Sequence, residues 1–73
     1  MEDRISFNPK ILAGKPLIKG TRISVEYLLE LLASGMKTEE ILLELPHLQK
    51  EDILAAINYA ANALKHEEVI LIR

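Results

Sequence analysis

The apolar residues of this chain change their spacing at Ser24, and that change leaves few folds open. From there Val25, Leu28, Leu29 and Leu32 fall at i, i+3, i+4 and i+7, a single stripe along a helix. Ser24 is placed to cap that helix, Glu26 puts a negative charge near its unpaired N–H groups, and Gly35 suits the left-handed residue that closes it. Thr38 is predicted to cap a second helix, with Glu39 and Glu40 in its first turn and Ile41, Leu42 and Leu45 turned inward, until Pro46 stops it. A third helix is predicted from about Lys50 to Lys65, burying Ile53, Ile57, Ala60 and Leu64 and placing Asn58 and Asn62 on another face. Its alanines (Ala55, Ala56, Ala60, Ala61 and Ala63) leave little bulk, so another helix can approach closely. Three short helices joined by tight turns predict a mainly α domain of helix-turn-helix type, homeodomain- or winged-helix-like.

Before Ser24 no helical period exists. Ile5-Ser6-Phe7 alternates as a strand does, Asn8-Pro9 and Gly14-Lys15-Pro16 are turn signals, and Leu17-Ile18 begins a second strand that would run toward Ile23. Gly20 marks a turn, a bulge or a close approach of another backbone. After the charged Lys65-His66-Glu67-Glu68, the β-branched Val69-Ile70-Leu71-Ile72 reads as a last strand that needs a neighbour, in its own chain, across a dimer or on another protein. The 73 residues thus divide as one domain into a β and turn segment (5–23), three helices (24–65) and a strand-like tail (69–72). A chain of this length hides only about 60% of its unfolded surface, so a partner subunit would help, and a homodimer is expected.

Charge is concentrated in the first segment. The net charge is −2, yet Arg4 to Val25 holds five cations and no acid, whereas Glu26 to Arg73 holds nine acids against four cations. Such asymmetry marks an end that meets a polyanion on a molecule whose other end avoids one. In the stretch AGKPLIKGTRIS, Lys15, Lys19 and Arg22 are candidate phosphate contacts, and the backbone N–H groups near Gly20-Thr21 are candidate neutral donors. The competing local roles are an ion pair from Arg22 to Glu26 and a turn-capping hydroxyl at Thr21. A helix-turn-helix reads bases from the start of its recognition helix, here Gln49, Lys50, Glu51 and Asp52. The acids more simply stabilise the helix end and repel phosphate, although Glu51 could accept from a cytosine amino group. Gln49 and Lys50 remain as base-reading candidates.

Catalysis is not expected. Gly14 to Thr21 has the order Lys-Gly-Thr rather than Gly-Lys-Thr, Pro16 deletes an N–H and no strand-borne acid stands ready for Mg²⁺, so it is no nucleotide-binding phosphate loop. His47 and His66 are far apart and lack a cysteine, which disfavours zinc, and His47 is expected to face solvent after Pro46. Ser24 and Ser34 read as helix-end residues, and no cofactor is implied. The absence of cysteine fits a reducing compartment. No apolar run reaches the roughly 20 residues of a membrane span, and Met1-Glu2-Asp3 lacks the basic flank of a signal peptide, so a cytoplasmic protein without a membrane role is expected.

Taken together, Gly14-Lys15-Pro16-Leu17-Ile18-Lys19-Gly20-Thr21-Arg22-Ile23, the leucine-rich helix, Gly35-Met36-Lys37-Thr38-Glu39-Glu40-Ile41, Leu45-Pro46-His47-Leu48 and Glu51-Asp52-Ile53-Leu54-Ala55-Ala56 resemble a small bacterial and archaeal family, over about Ile5 to Leu64. That family carries the pattern G-x-P-x-I-x-G-T-R-I and is formally a domain of unknown function. Its members are similar to VapB-type antitoxins, often paired with a PIN-like ribonuclease toxin, and the resemblance implies a helix-turn-helix fold. This chain departs from the pattern at Gln49-Lys50, where members usually have a capping Thr followed by Pro. Glutamine caps poorly, so the third helix is expected to start less firmly. The function implied is that of an antitoxin-like regulator that meets DNA through the basic segment and a toxin through another surface. The alternative is a protein-interaction module that binds no nucleic acid.

Overall fold

The computed structural model describes residues 2–65, so the expected strand at 69–72 lies outside the described residues. A single 3-10 turn at Glu2–Arg4 leads into β1 (Ile5–Ser6), a second 3-10 turn covers Leu12–Gly14, and β2 (Leu17–Ile18) returns antiparallel to β1. Ile5 lies opposite Ile18 and Ser6 opposite Leu17. Three helices follow: α1 (Val25–Ala33), α2 (Thr38–Glu44) and α3 (Lys50–Lys65). The fold is therefore mainly helical with a small two-stranded β element. Among the described residues, no helix is long and apolar enough to cross a membrane.

The core gathers side chains from β2, from all three helices and from the loop before α3. Ile18, Val25, Leu28, Ile41, Leu48, Ile53 and Ala56 form one buried cluster, with Ile5, Leu29, Leu32 and Tyr59 packed against it. Leu28, Ile41 and Ala56 are fully enclosed. Each large side chain buried in this way contributes about 1.5–3 kcal/mol, which is how two-residue strands persist: their side chains are held by the helices, not by their own ladder.

Helix ends follow local chemistry, with one correction. Ser24 Oγ accepts from the Tyr27 N–H at 2.9 Å, the expected cap of α1. At its other end Gly35 adopts φ +99°, the Gly35 N–H reaches Leu32 O at 3.0 Å and the Met36 N–H reaches Leu31 O at 3.2 Å, a paired closure that needs a left-handed residue. Thr38 does not cap α2. It is the first helical residue, the chain enters through Lys37, and the Lys37 N–H donates to Glu40 Oε1 at 2.7 Å. A glutamate three residues past the entry point binds that N–H directly, so a threonine cap is not needed.

α3 also differs from expectation, in its rotation. It starts at Lys50 as predicted and runs to Lys65, the last of the described residues, but the buried residues are Asp52, Ile53, Ala55 and Ala56. Ile57 is 42% exposed and Leu64 65% exposed. The cause is at the helix start. Asp52 Oδ2 accepts from the Gln49 N–H at 2.9 Å, while Asp52 Oδ1 accepts from Arg4 Nη1 at 2.8 Å. Drawn inward by both partners, Asp52 turns the neighbouring Ile53 and Ala56 to the core. The same two bonds fasten the start of α3, which Gln49 was expected to leave loose.

Candidate functional site

The basic segment is a closed turn, not an extended strand. Ile18 O accepts from both the Thr21 N–H at 3.0 Å and Thr21 Oγ1 at 2.8 Å. Thr21 Oγ1 in turn accepts from the Ile23 N–H at 2.9 Å, and the Ile18 N–H donates to Ile23 O at 2.8 Å. Gly20 sits at the tip with φ +82°, a conformation that side-chain-bearing residues rarely adopt. The expected continuation of β2 to Ile23 is thus replaced by a reversal, and only an isolated bridge between Leu17 and Ser24 remains. A bond from the Val25 N–H to Pro16 O at 2.9 Å closes the base of the turn beside α1.

The sequence offers three cations to phosphate, Lys15, Lys19 and Arg22, and the turn treats them unequally. Lys19 and Arg22 are exposed at the tip and, among the described residues, neither has an ion pair. Lys15 lies at the base, with Nζ 2.9 Å from Glu26 Oε1. That hydrogen bond, then the charge of the same carboxylate, holds the Lys15 pKa above its ordinary 10.5, so the group stays cationic but partly neutralised. The expected pair from Arg22 to Glu26 is not formed; Lys15 takes Glu26. Thr21 performs the local role: its hydroxyl and its N–H are both committed inside the turn. Among the described residues, the N–H groups of Gly20 and Arg22 have no partner in the chain, which leaves them to solvent or a ligand.

Around the turn the fold assembles groups that the sequence keeps apart. Arg22 lines a hollow of about 600 Å³ together with Ser6, Asn8, Leu17, Ile23 and His47. His47 is exposed, as expected, but its closeness to the basic turn comes only from the way α2 leads into α3. Arg4, a residue not singled out from sequence, joins the two halves of the candidate site. Its carbonyl accepts from the Lys19 N–H at 2.8 Å, and its guanidinium holds Asp52 at the start of α3. Gln49 and Lys50 are both exposed at that start, so the turn and the proposed base-reading residues are the two ends of one hydrogen-bonded chain. Glu51 is exposed beside them, whereas the Asp52 carboxylate is turned away from solvent.

This arrangement of a glycine-tipped turn ahead of three helices has relatives. The family described as "Protein of unknown function (DUF433)" matches residues 5–60, which takes in β1, the basic turn, α1, α2 and most of α3. The chain belongs to the DUF433 family. A crystal structure of a DUF433 member protein from Anabaena variabilis is similar to it, with a TM-score of 0.80 and 30% sequence identity. The match covers 86% of this chain and 62% of that one, so this DUF433 chain spans less than two thirds of that relative's length. No curated protein matches the chain.

Proposed function

We propose that this DUF433 chain is an antitoxin-like, VapB-related regulator of the cytoplasm that binds DNA through its basic turn and holds a PIN-like ribonuclease toxin through another surface. The observation that carries the reading is the tip of the turn: two exposed cations, Lys19 and Arg22, lie on either side of Gly20, whose N–H has no partner among the described residues. Backbone N–H groups and flexible cations in one exposed turn are what a phosphate backbone meets in a positioning contact. In this reading α2 and α3 serve as the helix-turn-helix, with Gln49 and Lys50 nearest the bases. Glu51 beside them weakens the helix as a reader, so phosphate contact by the turn carries most of the affinity. The working unit is a homodimer, which would offer two such turns to one duplex.

Fluorescence anisotropy with the chain's own promoter region and a scrambled duplex, titrated at several salt concentrations, tests this reading. Lys19→Ala and Arg22→Ala should each weaken binding to both duplexes and lower the salt slope by about 1, while leaving the fold intact. Gln49→Ala or Lys50→Ala should change the preference between the duplexes, and only slightly. If the wild type binds neither duplex at low salt, alone or with a toxin, the DNA reading fails.

A second reading, an interaction module without nucleic acid, is favoured by one observation. A groove of about 430 Å³ between α1 and α3 is lined by Pro16, Val25, Leu29, Tyr59, Ala63 and Leu64 and offers almost no polar surface. An apolar segment of a protein partner is the occupant it fits, and docking there would barely respond to salt.

A further inference from the structure

The rotation of α3 that buries Asp52 and Ala56 leaves a second apolar line on the helix. Leu54, Ile57, Ala61 and Leu64 follow one another at steps of three, four and three, and all four are exposed, Leu54 at 46%. Single exposed apolar residues are ordinary on a protein surface, but four on one line at this spacing form the seam by which two helices interlock. A seam of about eleven residues cannot hold two free helices together. Here α3 is already folded onto its own domain, so that nucleation cost does not arise.

The charges beside the seam identify what covers it. Lys50 continues the same line one turn before Leu54, so a parallel pairing would set Lys50 against Lys50. Glu51 and Lys65, two heptads apart, lie on one flank and are both exposed. When a second copy runs the opposite way, Glu51 of each chain meets Lys65 of the other, Leu54 meets Leu64, and Ile57 meets the small Ala61. The helix dipoles also oppose each other in that arrangement. We infer that the chain forms an antiparallel homodimer through Leu54, Ile57, Ala61 and Leu64 of α3. This inference rests on the homodimer in the reading above and adds its surface and direction.

Sedimentation at micromolar concentration should show a dimer for the wild type and a folded monomer for Leu54→Glu with Ile57→Glu, its helical circular dichroism retained. Leu43→Glu, at the more exposed Leu43 of α2, should leave the dimer intact. Because the chain has no cysteine, direction can be read by crosslinking. A mixture of Leu54→Cys and Leu64→Cys proteins should form the disulfide on oxidation, while neither should with itself, since ten residues along the helix separate like positions by about 15 Å. A wild type that stays monomeric overturns both this inference and the homodimer, without touching DNA binding by single chains. A dimer that survives the double glutamate variant overturns the seam alone. Self-crosslinking of Leu54→Cys overturns the antiparallel direction.

Discussion

Glu26 decides how much of the basic segment's charge reaches solvent. Spacing alone pairs it with Arg22, four residues earlier, but that rule holds on a helix and Arg22 lies in the turn before the Ser24 cap. Lys15 therefore reaches across the base of the turn and takes the carboxylate. Because the Lys15 pKa is raised in the folded chain, the lysine brings its full charge to the contact below pH 10.5 and loses it only as pH rises past the raised value. Glu26→Gln should thus free Lys15 at neutral pH, tighten duplex binding and steepen the salt slope by about 1, as anisotropy would show. Unchanged affinity would mean that Lys15 faces no phosphate. Local partners such as Ser24 with Tyr27 and Thr21 with Ile18 were legible in the sequence because they lie within a few residues. Asp52 was not, since its partner Arg4 is 48 residues away. Asp52→Ala removes a helix-start acceptor and an ion pair whose arginine side chain is 37% exposed, so its cost, read by urea unfolding, should be about 2 kcal/mol.

At the scale of elements, the helix boundaries were legible and the rotation of α3 was not. Ser24, Gly35 and Pro46 punctuate the chain by backbone chemistry that acts on the spot. The buried face of α3 had no such marker. Ile53-Leu54-Ala55-Ala56-Ile57 is an unbroken apolar run, and a run of that kind supports a stripe through Ile53 and Ile57 as well as one through Asp52, Ile53 and Ala56. Periodicity gives the width of a face, and tertiary contacts set its phase, here the bonds of Asp52 together with the packing of Ile53 and Ala56 in the core. The two phases differ in a measurable way. Ile53→Ala and Leu28→Ala should each lower stability by roughly 2–5 kcal/mol, whereas Ile57→Ala, studied at concentrations where the chain is monomeric, should cost under about 1 kcal/mol. Thermal melts that rank Ile57 with Ile53 would restore the rejected phase. The two-stranded element was legible in part: the strands were placed and a turn was one of three readings of Gly20, but the choice of the turn depends on Thr21 binding Ile18 through two groups at once.

The molecule as a whole is less polarised than its sequence. Of the five cations before Glu26, Arg4 is committed to Asp52 and Lys15 to Glu26, which leaves Lys10, Lys19 and Arg22 exposed without an ion pair among the described residues. With so few free cations, the salt slope of binding per chain should stay near 2–3, rather than the value of 4–5 that the raw count gives. The Arg4–Asp52 contact also has a kinetic side. It ties residues 48 positions apart in a chain of 73, so it closes a long loop and gains nothing until the helices between are in place. Such a bond belongs to the last step of folding and to the first step of opening. Arg4→Ala should leave the refolding limb of a stopped-flow chevron where it is and raise the unfolding limb. A slowed refolding limb would instead place the bond in the nucleus. If the latch is late, its opening would release the start of α3 and the tip of the basic turn in one event, and amides at Gln49 and Lys19 would exchange hydrogen together, ahead of the core.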